Sequence, residues 1–499
     1  MIKILTSEQI RATDQYTIKN EPVCSLDLME RASNAFVMKF LEVNREKRPV
    51  KIFCGVGNNG GDGLAIGRLL KEKGWEVYLY VVGKTQKGSD DFKANLNRSE
   101  LYAILSDSKD FPTINESDIV IDGLFGSGLS RPIEGFYKEV VEYLNDKKCL
   151  KFSIDIASGL YADQPLPSDA IAFRPDYTFS FQVPKLSFFL PEYYPYVGEW
   201  QVIDIGLDQS FIQKQETSFY QTELKDIASL FPTRQKFTHK NEVGRLMVVA
   251  GSKGKMGAAV LSTEAAFRSG AGLVNVCAPK CGVDILQISV PEAMVIDGKG
   301  VNDIQVIPTS DDTVILGPGL GTSKKTLEAF ENFLRSTKKP MVIDADGLNL
   351  LAKKKSLLKQ VPKDSILTPH PGEFQRLVGK WKNDFDKLEQ LSGFCQKHEV
   401  NMVLKGAYSA ICDLNGHIHF NSTGNPALAT AGSGDVLTGM IGGFLAQGLA
   451  PFDALRLGVY LHGLSGDQAV RELEMPWIQA SDIIQFLPNA VGSVMNRCL

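Results

Sequence analysis

This sequence has no long apolar run and no excess of basic residues. In its 499 residues, no stretch approaches the ~18–20 consecutive apolar residues that a membrane helix requires. The first residues, MIKILTSEQIRATDQYT, do not combine a basic region with an apolar one as a signal peptide does. Lysine and arginine total 54 against 58 aspartates and glutamates, which argues against a nucleic-acid surface. We therefore expect a cytoplasmic protein with no nucleic-acid or membrane partner.

The sequence also lacks a disulfide pattern. Its eight cysteines are scattered at positions 24, 54, 149, 277, 281, 395, 412 and 498. Cys277 and Cys281 in CAPKC form the closest pair, and no other cysteine or histidine group has the spacing of zinc ligands. We expect reduced thiols and no zinc site.

Short apolar runs alternate with longer amphipathic ones through most of the chain. Residues 50–54, 75–82, 118–122 and 150–155 have the pattern of buried strands, and residues 63–73 have helical spacing. This alternation predicts an α/β fold, with a parallel sheet covered by helices on both faces. The alternation weakens across 172–231 and resumes at 245, so we predict two domains, 1–215 and 222–499.

The 45 glycines gather in short clusters, and the first cluster follows a predicted strand. Gly55, Gly57 and Gly60 fit the G-x-G-x-x-G pattern, in which a tight turn and a helix start favour an anion. The next strand ends at Gly83 without the acidic residue that binds the ribose in NAD-dependent dehydrogenases. A standard dehydrogenase is therefore disfavoured, and a tight turn without a ligand is the alternative.

Polar residues follow two further strands of the first half. Asn59, Asp122 and Ser158 offer oxygen ligands, which suit a hard cation, and Asp155 offers a carboxylate for acid–base chemistry. Because ligands of open α/β sheets bind beyond the carboxyl ends of the strands, we expect these residues to meet there. The alternative is that the aspartates only cap helices or turns.

The second half repeats this arrangement without a Walker A loop, since Met256 stands where the G-x-x-x-x-G-K motif counted from Gly251 needs its second glycine. Polar clusters follow its predicted strands at 317–321, 344–349, 368–373 and 405–409. His370 lies between two prolines at such an end, where it is either a site residue or a core histidine. The segment 424–435 precedes an apolar helix, so its amides could bind phosphate, with Asp435 as a base. Asp435 could instead only balance the helix dipole.

These motifs resemble known families. The sequence GSGD before an apolar helix resembles the ribokinase-like superfamily. The ordered motifs GSKGKMGAA, GPGLG, DADGLN, TPHPGE, KGAYS and NPALATAGSGDVLTG resemble ADP-dependent NAD(P)H-hydrate dehydratase. The first half is similar to NAD(P)H-hydrate epimerase through SLDLMERAS, GVGNNGGDGL, DGLFGSGLSRP and DIASGL. A bacterial bifunctional family joins both in this order. The resemblance implies a Rossmann-like three-layer αβα domain followed by a ribokinase-like α/β domain.

The resemblance also implies site residues. In the epimerase half, the substrate would contact Asn58, Asn59, Gly60, Gly61, Asp62, Gly126, Ser127, Gly128, Leu129, Ser130, Arg131, Pro132, Tyr137 and the catalytic Asp155. A potassium ion would be held by Asn59, Asp122 and Ser158. In the dehydratase half, the substrate would contact Ala258, Gly319, His370 and the catalytic Asp435. The nucleotide would contact Lys405, Gly406, Ala407, Tyr408, Ser409 and Gly434.

The activity implied is repair of hydrated NAD(P)H. The first domain would interconvert the R and S forms, and the second would dehydrate the S form with ADP, giving NAD(P)H, AMP and phosphate. We expect K⁺ at the epimerase site, Mg²⁺ with ADP at the dehydratase site, and assembly as a homo-oligomer.

Two other functions stay open. The chain could be a ribokinase-like small-molecule kinase with a regulatory first half, which would release a stable phosphorylated alcohol. The first half could instead be a binding module, as similar folds are in RNA-decapping scaffolds. The balanced charge and the presence of Asp122 and Asp155 argue against a binding module.

Overall fold

The computed structural model describes residues 1–232, 234–240 and 242–496. The chain forms two compact units. The amino-terminal unit comprises residues 3–217 with 383–385, and the carboxyl-terminal unit comprises 1–2, 218–382 and 386–499. Within the described residues the seven cysteines are free, and Cys498 lies outside them.

The strands are β1 (Ile2–Lys3), β2 (Val50–Cys54), β3 (Val77–Val82), β4 (Ala103–Leu105), β5 (Ile119–Gly123), β6 (Leu150–Ile154), β7 (Tyr177–Phe181), β8 (Glu199–Ile203), β9 (Phe219–Gln221), β10 (Arg245–Val249), β11 (Leu273–Ala278), β12 (Met294–Asp297), β13 (Thr313–Leu316), β14 (Val342–Ile343), β15 (Ile366–Leu367), β16 (Asn401–Leu404), β17 (Ala410–Cys412) and β18 (Ile418–Phe420).

The helices are α1 (Ser7–Asn20), α2 (Ser25–Val43), α3 (Asn58–Glu72), α4 (Asp90–Arg98), α5 (Phe136–Asn145), α6 (Gln209–Lys214), α7 (Leu224–Ala228), α8 (Met256–Arg268), α9 (Val283–Ser289), α10 (Lys324–Ser336), α11 (Asp346–Lys353), α12 (Pro371–Val378), α13 (Asp384–His398), α14 (Ser433–Ala446), α15 (Pro451–Leu473) and α16 (Ala480–Asn496).

The sheet of the amino-terminal unit is parallel throughout, in the order β4-β3-β2-β5-β6-β7-β8. The strand order reverses between β2 and β5, and at such a switch point the two following loops diverge and leave a crevice for a ligand. Every residue of β2 and β5 is buried, as expected for strands covered on both faces.

The carboxyl-terminal unit follows the same principle. Its strands from β9 onward lie in the order β9-β18-β17-β16-β15-β14-β13-β10-β11-β12. The pairs from β16 to β12 in this order are parallel, and β17 pairs antiparallel with both of its neighbours. The switch point lies between β10 and β13, so the loops after these strands border the second crevice.

The α/β class predicted from the sequence is confirmed, and two details differ. The first predicted helix begins at Asn58 rather than at residue 63, because the glycine-rich segment itself forms the first turns of α3. The region of weak alternation, 172–231, contains β7 and β8, which extend the first sheet. These strands are hard to recognise in a sequence rich in aromatic residues and proline. In the structure, the rings of Tyr177 and Phe179 in β7 pack against Phe152 of β6.

Candidate active sites

The first site begins where the loops after β2 and β5 meet. An added Cβ at Gly55 would lie 2.0 Å from the carbonyl oxygen of Leu124, and one at Gly60 would lie 1.7 Å from the carbonyl oxygen of Gly55. Only glycine permits these approaches. Gly57 precedes α3 without a side-chain cap, so the amides of the first turn are available to an anion.

Asp122, in β5, is fully buried and bonded on both oxygens. Its Oδ1 accepts from the Ser158 hydroxyl at 2.6 Å and the Leu124 amide at 3.1 Å, and its Oδ2 accepts from the Ser158 amide at 2.8 Å. Burial raises the pKa of Asp122 to about 6, although these hydrogen bonds favour the charged form. Asp122 and Ser158 therefore form one rigid pair of oxygen donors.

Asn59 lies beside this pair. An added Cβ at Gly126 would be 3.7 Å from the Asn59 Oδ1, and one at Gly123 would be 3.1 Å from the Asn59 carbonyl. The Nδ2 of Asn59 is buried and has no hydrogen-bond partner in the described part of the chain. The three residues predicted to ligate a cation thus lie around one loop.

Asp155 follows β6 and adopts a left-handed backbone conformation, with φ of 65°. Its Oδ1 accepts from the Phe181 amide at 2.9 Å and from Lys185 Nζ at 2.5 Å. The Lys185 side chain is completely buried and also donates to the Ser180 hydroxyl at 2.8 Å. Because its charge is balanced by the buried ammonium, Asp155 is held as an oriented carboxylate.

A cavity of about 460 Å³ connects these elements. Its lining includes the predicted residues Asn58, Asn59, Asp62, Gly126, Ser127, Gly128, Leu129, Tyr137 and Asp155. The Tyr137 hydroxyl donates to the Val82 carbonyl at 2.8 Å, which fixes its ring at the end of β3. Gly60 and Gly61 pack inside the turn, and Ser130, Arg131 and Pro132 are exposed outside the lining.

The second site is built at the start of α14. Gly432 precedes this helix with φ of 88°, and Asp435 lies in the first turn. Burial raises the pKa of Asp435 to about 6, the charge of Asp344 raises it further, and Lys405 opposes the rise. The Asp435 carboxylate has no hydrogen-bond or ion-pair partner among the described residues, so it is available to a substrate hydroxyl.

Lys405 and the buried Asp344 form an ion pair next to this helix start. Lys405 Nζ lies 3.0 Å from Asp344 Oδ1, and Thr438 donates to Asp344 Oδ2 at 2.7 Å. A Cβ added at Gly434 would lie 3.3 Å from Lys405 Nζ. The lysine at the end of β16 is thus held against the first turn of α14, where a phosphate would meet both.

A cavity of about 520 Å³ opens at this point. Its lining includes the predicted Ala258, Gly319 and Asp435, together with Asp346 and Glu373. The carboxylate of Asp346 accepts from the Gly321 amide at 2.8 Å and from Lys255 at 3.1 Å, so it joins the loops after β10 and β13.

His370 caps α12 and lies outside the cavity lining. Its Nδ1 accepts from the Gly372 amide at 3.0 Å, and Glu373 accepts from the His370 amide at 2.9 Å. The side chain is half exposed, so His370 is not a core histidine. Burial, with the nearby charge of Lys405, lowers its pKa, and the ring is therefore neutral near pH 7.

The segment 405–409 turns sharply after β16. Gly406 and Ser409 are joined by a hydrogen bond from the Ser409 hydroxyl to the Gly406 carbonyl at 2.9 Å, and Tyr408 has φ of 51°. Of this predicted nucleotide-binding segment, Lys405 is the residue that reaches Gly434.

Sequence reasoning missed four residues of these sites. Arg11 and Asp14 of α1 line the first cavity, Lys185 holds Asp155, and Asp344 holds Lys405. Asp344 ends a strand in the motif DADGLN and could have been selected by that signal. Arg11 and Asp14 lie on a helix, Lys185 lies in the loop after β7, and none of the three belongs to a glycine cluster.

In the part of the chain that the structure describes, no group of three or more histidine, cysteine, aspartate or glutamate side chains could hold a metal ion. No described helix is long and apolar enough to span a bilayer.

Each of the two α/β units has a carboxylate at a crevice beside a helix start, which is the arrangement expected of a bifunctional enzyme that acts on nucleotides. The family described as NAD(P)H-hydrate dehydratase matches residues 246–489, and the family described as YjeF-related protein N-terminus matches residues 25–187. The chain is 34% identical to the bifunctional NAD(P)H-hydrate repair enzyme Nnr of Thermofilum pendens, over 99% of this chain and 95% of that protein. It is 32% identical to the corresponding enzyme of Moorella thermoacetica, over 97% of this chain and 96% of that protein.

The chain belongs to the family of bifunctional NAD(P)H-hydrate repair enzymes, which confirms the resemblance in its sequence motifs. Among solved structures, the ADP/ATP-dependent NAD(P)H-hydrate dehydratase of Bacillus subtilis, co-crystallised with ATP and Mg²⁺, is 27% identical. That comparison covers 55% of this chain and 98% of the other, with a TM-score of 0.49.

Proposed function

We propose that residues 1–215 epimerise hydrated NAD(P)H and that residues 222–499 dehydrate its S form with ADP, giving NAD(P)H, AMP and phosphate. One observation carries this proposal beyond family membership. Each unit has its own cavity, and each cavity contains one of the two carboxylates that the reactions need, Asp155 and Asp435.

In the epimerase cavity, the substrate carries a hydroxyl on C6 of the nicotinamide ring. Loss of this hydroxyl and addition of water to the opposite face interconvert the two forms. Asp155 exchanges a proton with the oxygen at C6, and its contacts with Lys185 and the Phe181 amide hold it in position. The turn from Asn58 to Asp62 and the loop from Gly126 to Pro132 bind the rest of the nucleotide.

A potassium ion would fit beside this cavity by the chemistry of its donors, of which Asn59 lines the cavity and Asp122 and Ser158 lie buried behind the lining. Asn59, Asp122 and Ser158 present oxygens around one loop, and the Phe125 carbonyl oxygen is 3.2 Å from the Ser158 hydroxyl. Oxygen donors suit a hard cation. When bound, the ion would supply positive charge next to the first turn of α3, where the substrate's phosphates are expected.

In the dehydratase cavity, Asp435 takes the proton from the C6 hydroxyl as that oxygen attacks the terminal phosphorus of ADP. The bond from this phosphorus to AMP breaks, and the C6–O bond then breaks as phosphate departs with the bonding pair. C5 then loses a proton to water, and the electron pair of that C–H bond forms the C5–C6 double bond that restores the reduced ring. Lys405 and the amides at Gly434 stabilise the charge of the transferring group. Ala258, Gly319 and His370 contact the hydrated nucleotide, and the turn from Lys405 to Ser409 holds ADP.

Magnesium fits the same cavity. Mg²⁺ binds through one or two carboxylates together with substrate phosphates, and the lining includes Asp346, Glu373 and Asp435. The ion would neutralise phosphate charge when ADP is bound. We further propose that the protein is a cytoplasmic homo-oligomer without nucleic-acid partners, and the balanced charge of the sequence supports the last of these points.

The test is incubation of the full chain with a mixture of hydrated NADH epimers, with and without ADP. Without ADP, an excess of either epimer should relax to the equilibrium ratio. With ADP, both epimers should disappear, with matching appearance of NADH, AMP and phosphate.

Accumulation of a stable phosphorylated alcohol would instead identify a kinase. An unchanged epimer ratio would make the first unit a binding module. Each activity is therefore read independently of the other.

A further inference from the structure

Helix α1 forms one wall of the epimerase cavity. Ser7, Ile10, Arg11 and Asp14 all line it, together with Asp155. Their spacing of three, four and seven residues from Ser7 places them on one helical face. Thr6 caps the helix and receives the Gln9 amide on its side chain, so the start of this wall is fixed.

The two charged groups of this face are unpaired. Within the described residues, the Asp14 carboxylate and the Arg11 guanidinium have no hydrogen-bond or ion-pair partner, although Arg11 lies near Gly128. Asp155, on the same cavity, is held by Lys185 and the Phe181 amide. Asp155 is thus a fixed carboxylate of this cavity, and the Asp14 carboxyl group on the opposing helix is free to contact a substrate.

The charges that face Asp14 favour its protonated form. Burial raises the pKa of Asp14 to about 7, the negative charge of Asp155 raises it further, and Lys185 and Arg11 oppose the rise. Asp62 of α3 also lines the cavity, and burial followed by the charge of Asp155 raises its pKa well above the ordinary range. A substantial fraction of Asp14 therefore carries a proton near pH 7.

We propose that Asp14 is a second catalytic residue of epimerisation, acting as the general acid opposite the Asp155 carboxylate. This inference rests on the proposed epimerase function. The reaction needs one group that donates a proton to the departing oxygen and another that accepts a proton from the entering water. A free carboxyl and an oriented carboxylate in one cavity meet both requirements.

In this mechanism, loss and re-addition of the oxygen at C6 move one proton from Asp14 to Asp155. The C6–O bond breaks, and the oxygen leaves with the bonding pair and takes the Asp14 proton, departing as water. The lone pair of the ring nitrogen forms a double bond to C6. A water then adds to the other face of C6 and gives its proton to Asp155. The final state has Asp14 ionised and Asp155 protonated, which is the reactive state for the reverse direction.

The test is Asp14→Asn in the full chain, with interconversion of the epimers measured by chromatography without ADP across a range of pH. We expect epimerisation to fall at least about 100-fold. In the wild type, the rate should decrease as the pH rises above about 7, because the acid loses its proton. This decrease should be absent from the residual activity of Asp14→Asn.

The matched control is Glu8→Gln, which removes an exposed carboxylate from the same helix outside the cavity and should leave the profile unchanged. ADP-dependent dehydration of the S form provides a second readout of folded protein. If Asp14→Asn fails to fold, Asp14→Glu should retain the alkaline decrease with a lower maximal rate.

The outcomes separate the two proposals. A wild-type chain that leaves the epimer ratio unchanged contradicts the epimerase function itself. A wild type that epimerises, with an Asp14→Asn variant of equal rate and unchanged profile, overturns only the role of Asp14 and directs attention to Asp62.

Discussion

Asp435 is a partly buried carboxylate at the start of a helix, and it has no hydrogen-bond or ion-pair partner in the described chain. Its pKa of about 6 lies close to the pH at which a base must work, so it can be ionised and still accept a proton. Lys405 pairs with Asp344 rather than with Asp435, and it supplies a positive charge for a phosphate beside the Asp435 carboxylate. The residue has the environment expected of a catalytic base rather than of a helix cap.

Replacing Asp435 with asparagine should lower dehydration by at least about 100-fold and leave epimerisation unchanged. In the wild type, the dehydration rate should increase as the pH rises through about 6, because the base must first lose its proton. Phosphate release at several pH values with the S epimer measures this. Near-wild-type dehydration by the variant would contradict the assigned role.

The stability of the same variant provides a check on its folding. Asp435 has a higher pKa in the folded chain, about 6 against 3.8, so folding takes up a proton between these values. Its stabilising effect is lost as the pH rises, and above about pH 6 the ionised carboxylate opposes folding. Asp435→Asn should therefore be at least as stable as the wild type there.

At the scale of single residues, the site residues that the sequence predicts are those next to the ends of strands and helices. Asp155 follows a buried strand and Asp435 precedes a buried apolar helix, and these positions mark both residues in the sequence. Lys185 is 30 positions beyond Asp155, and Asp14 is on a helix that precedes every strand of its sheet. Only the folded chain brings them together, so no local pattern could have selected them.

At the scale of elements, the turn from β2 into α3 shows how glycine positions the first site. The sequence predicted an anion-binding turn but started the helix five residues late. Because glycine disfavours helices, the sequence of a glycine cluster predicts a loop rather than the first turns of a helix. Close backbone contact with the loop after β5 stabilises the turn despite this cost.

Two glycines of this turn provide a matched pair of variants. Gly55→Ala would place a methyl group 2.0 Å from the Leu124 carbonyl oxygen, whereas nothing lies within 4 Å of an added Cβ at Gly57. We expect Gly55→Ala to destabilise the amino-terminal unit by about 1–3 kcal/mol. Gly57→Ala should change its stability by less than about 1 kcal/mol.

Native-state hydrogen exchange, measured on peptides from residues 50–70, distinguishes these variants without requiring one unfolding transition for the whole chain. Equal protection of the backbone amides from exchange in both variants would contradict the close approach of position 55 to the Leu124 carbonyl oxygen.

At the scale of the whole molecule, the chain combines two enzymes whose cavities are built in the same way. In each unit, the crevice lies at a switch point between parallel strands, and a glycine-rich turn precedes a helix. The sequence could predict this because the alternation of strands and helices determines where strands end. Neither cavity lining includes a residue of the other unit.

Because each cavity is complete within its own unit, the two activities should work in trans. Asp155→Asn should lack epimerisation and Asp435→Asn should lack dehydration, so neither variant alone should convert the R epimer to NADH at the wild-type rate. An equimolar mixture of the two full-length variants with ADP should do so, since the S epimer formed by one chain diffuses to the other. The yield of NADH from purified R epimer measures this. If the mixture remains as slow as either variant, while each retains its unaffected activity, the S epimer does not pass freely between chains and the two sites must act within one.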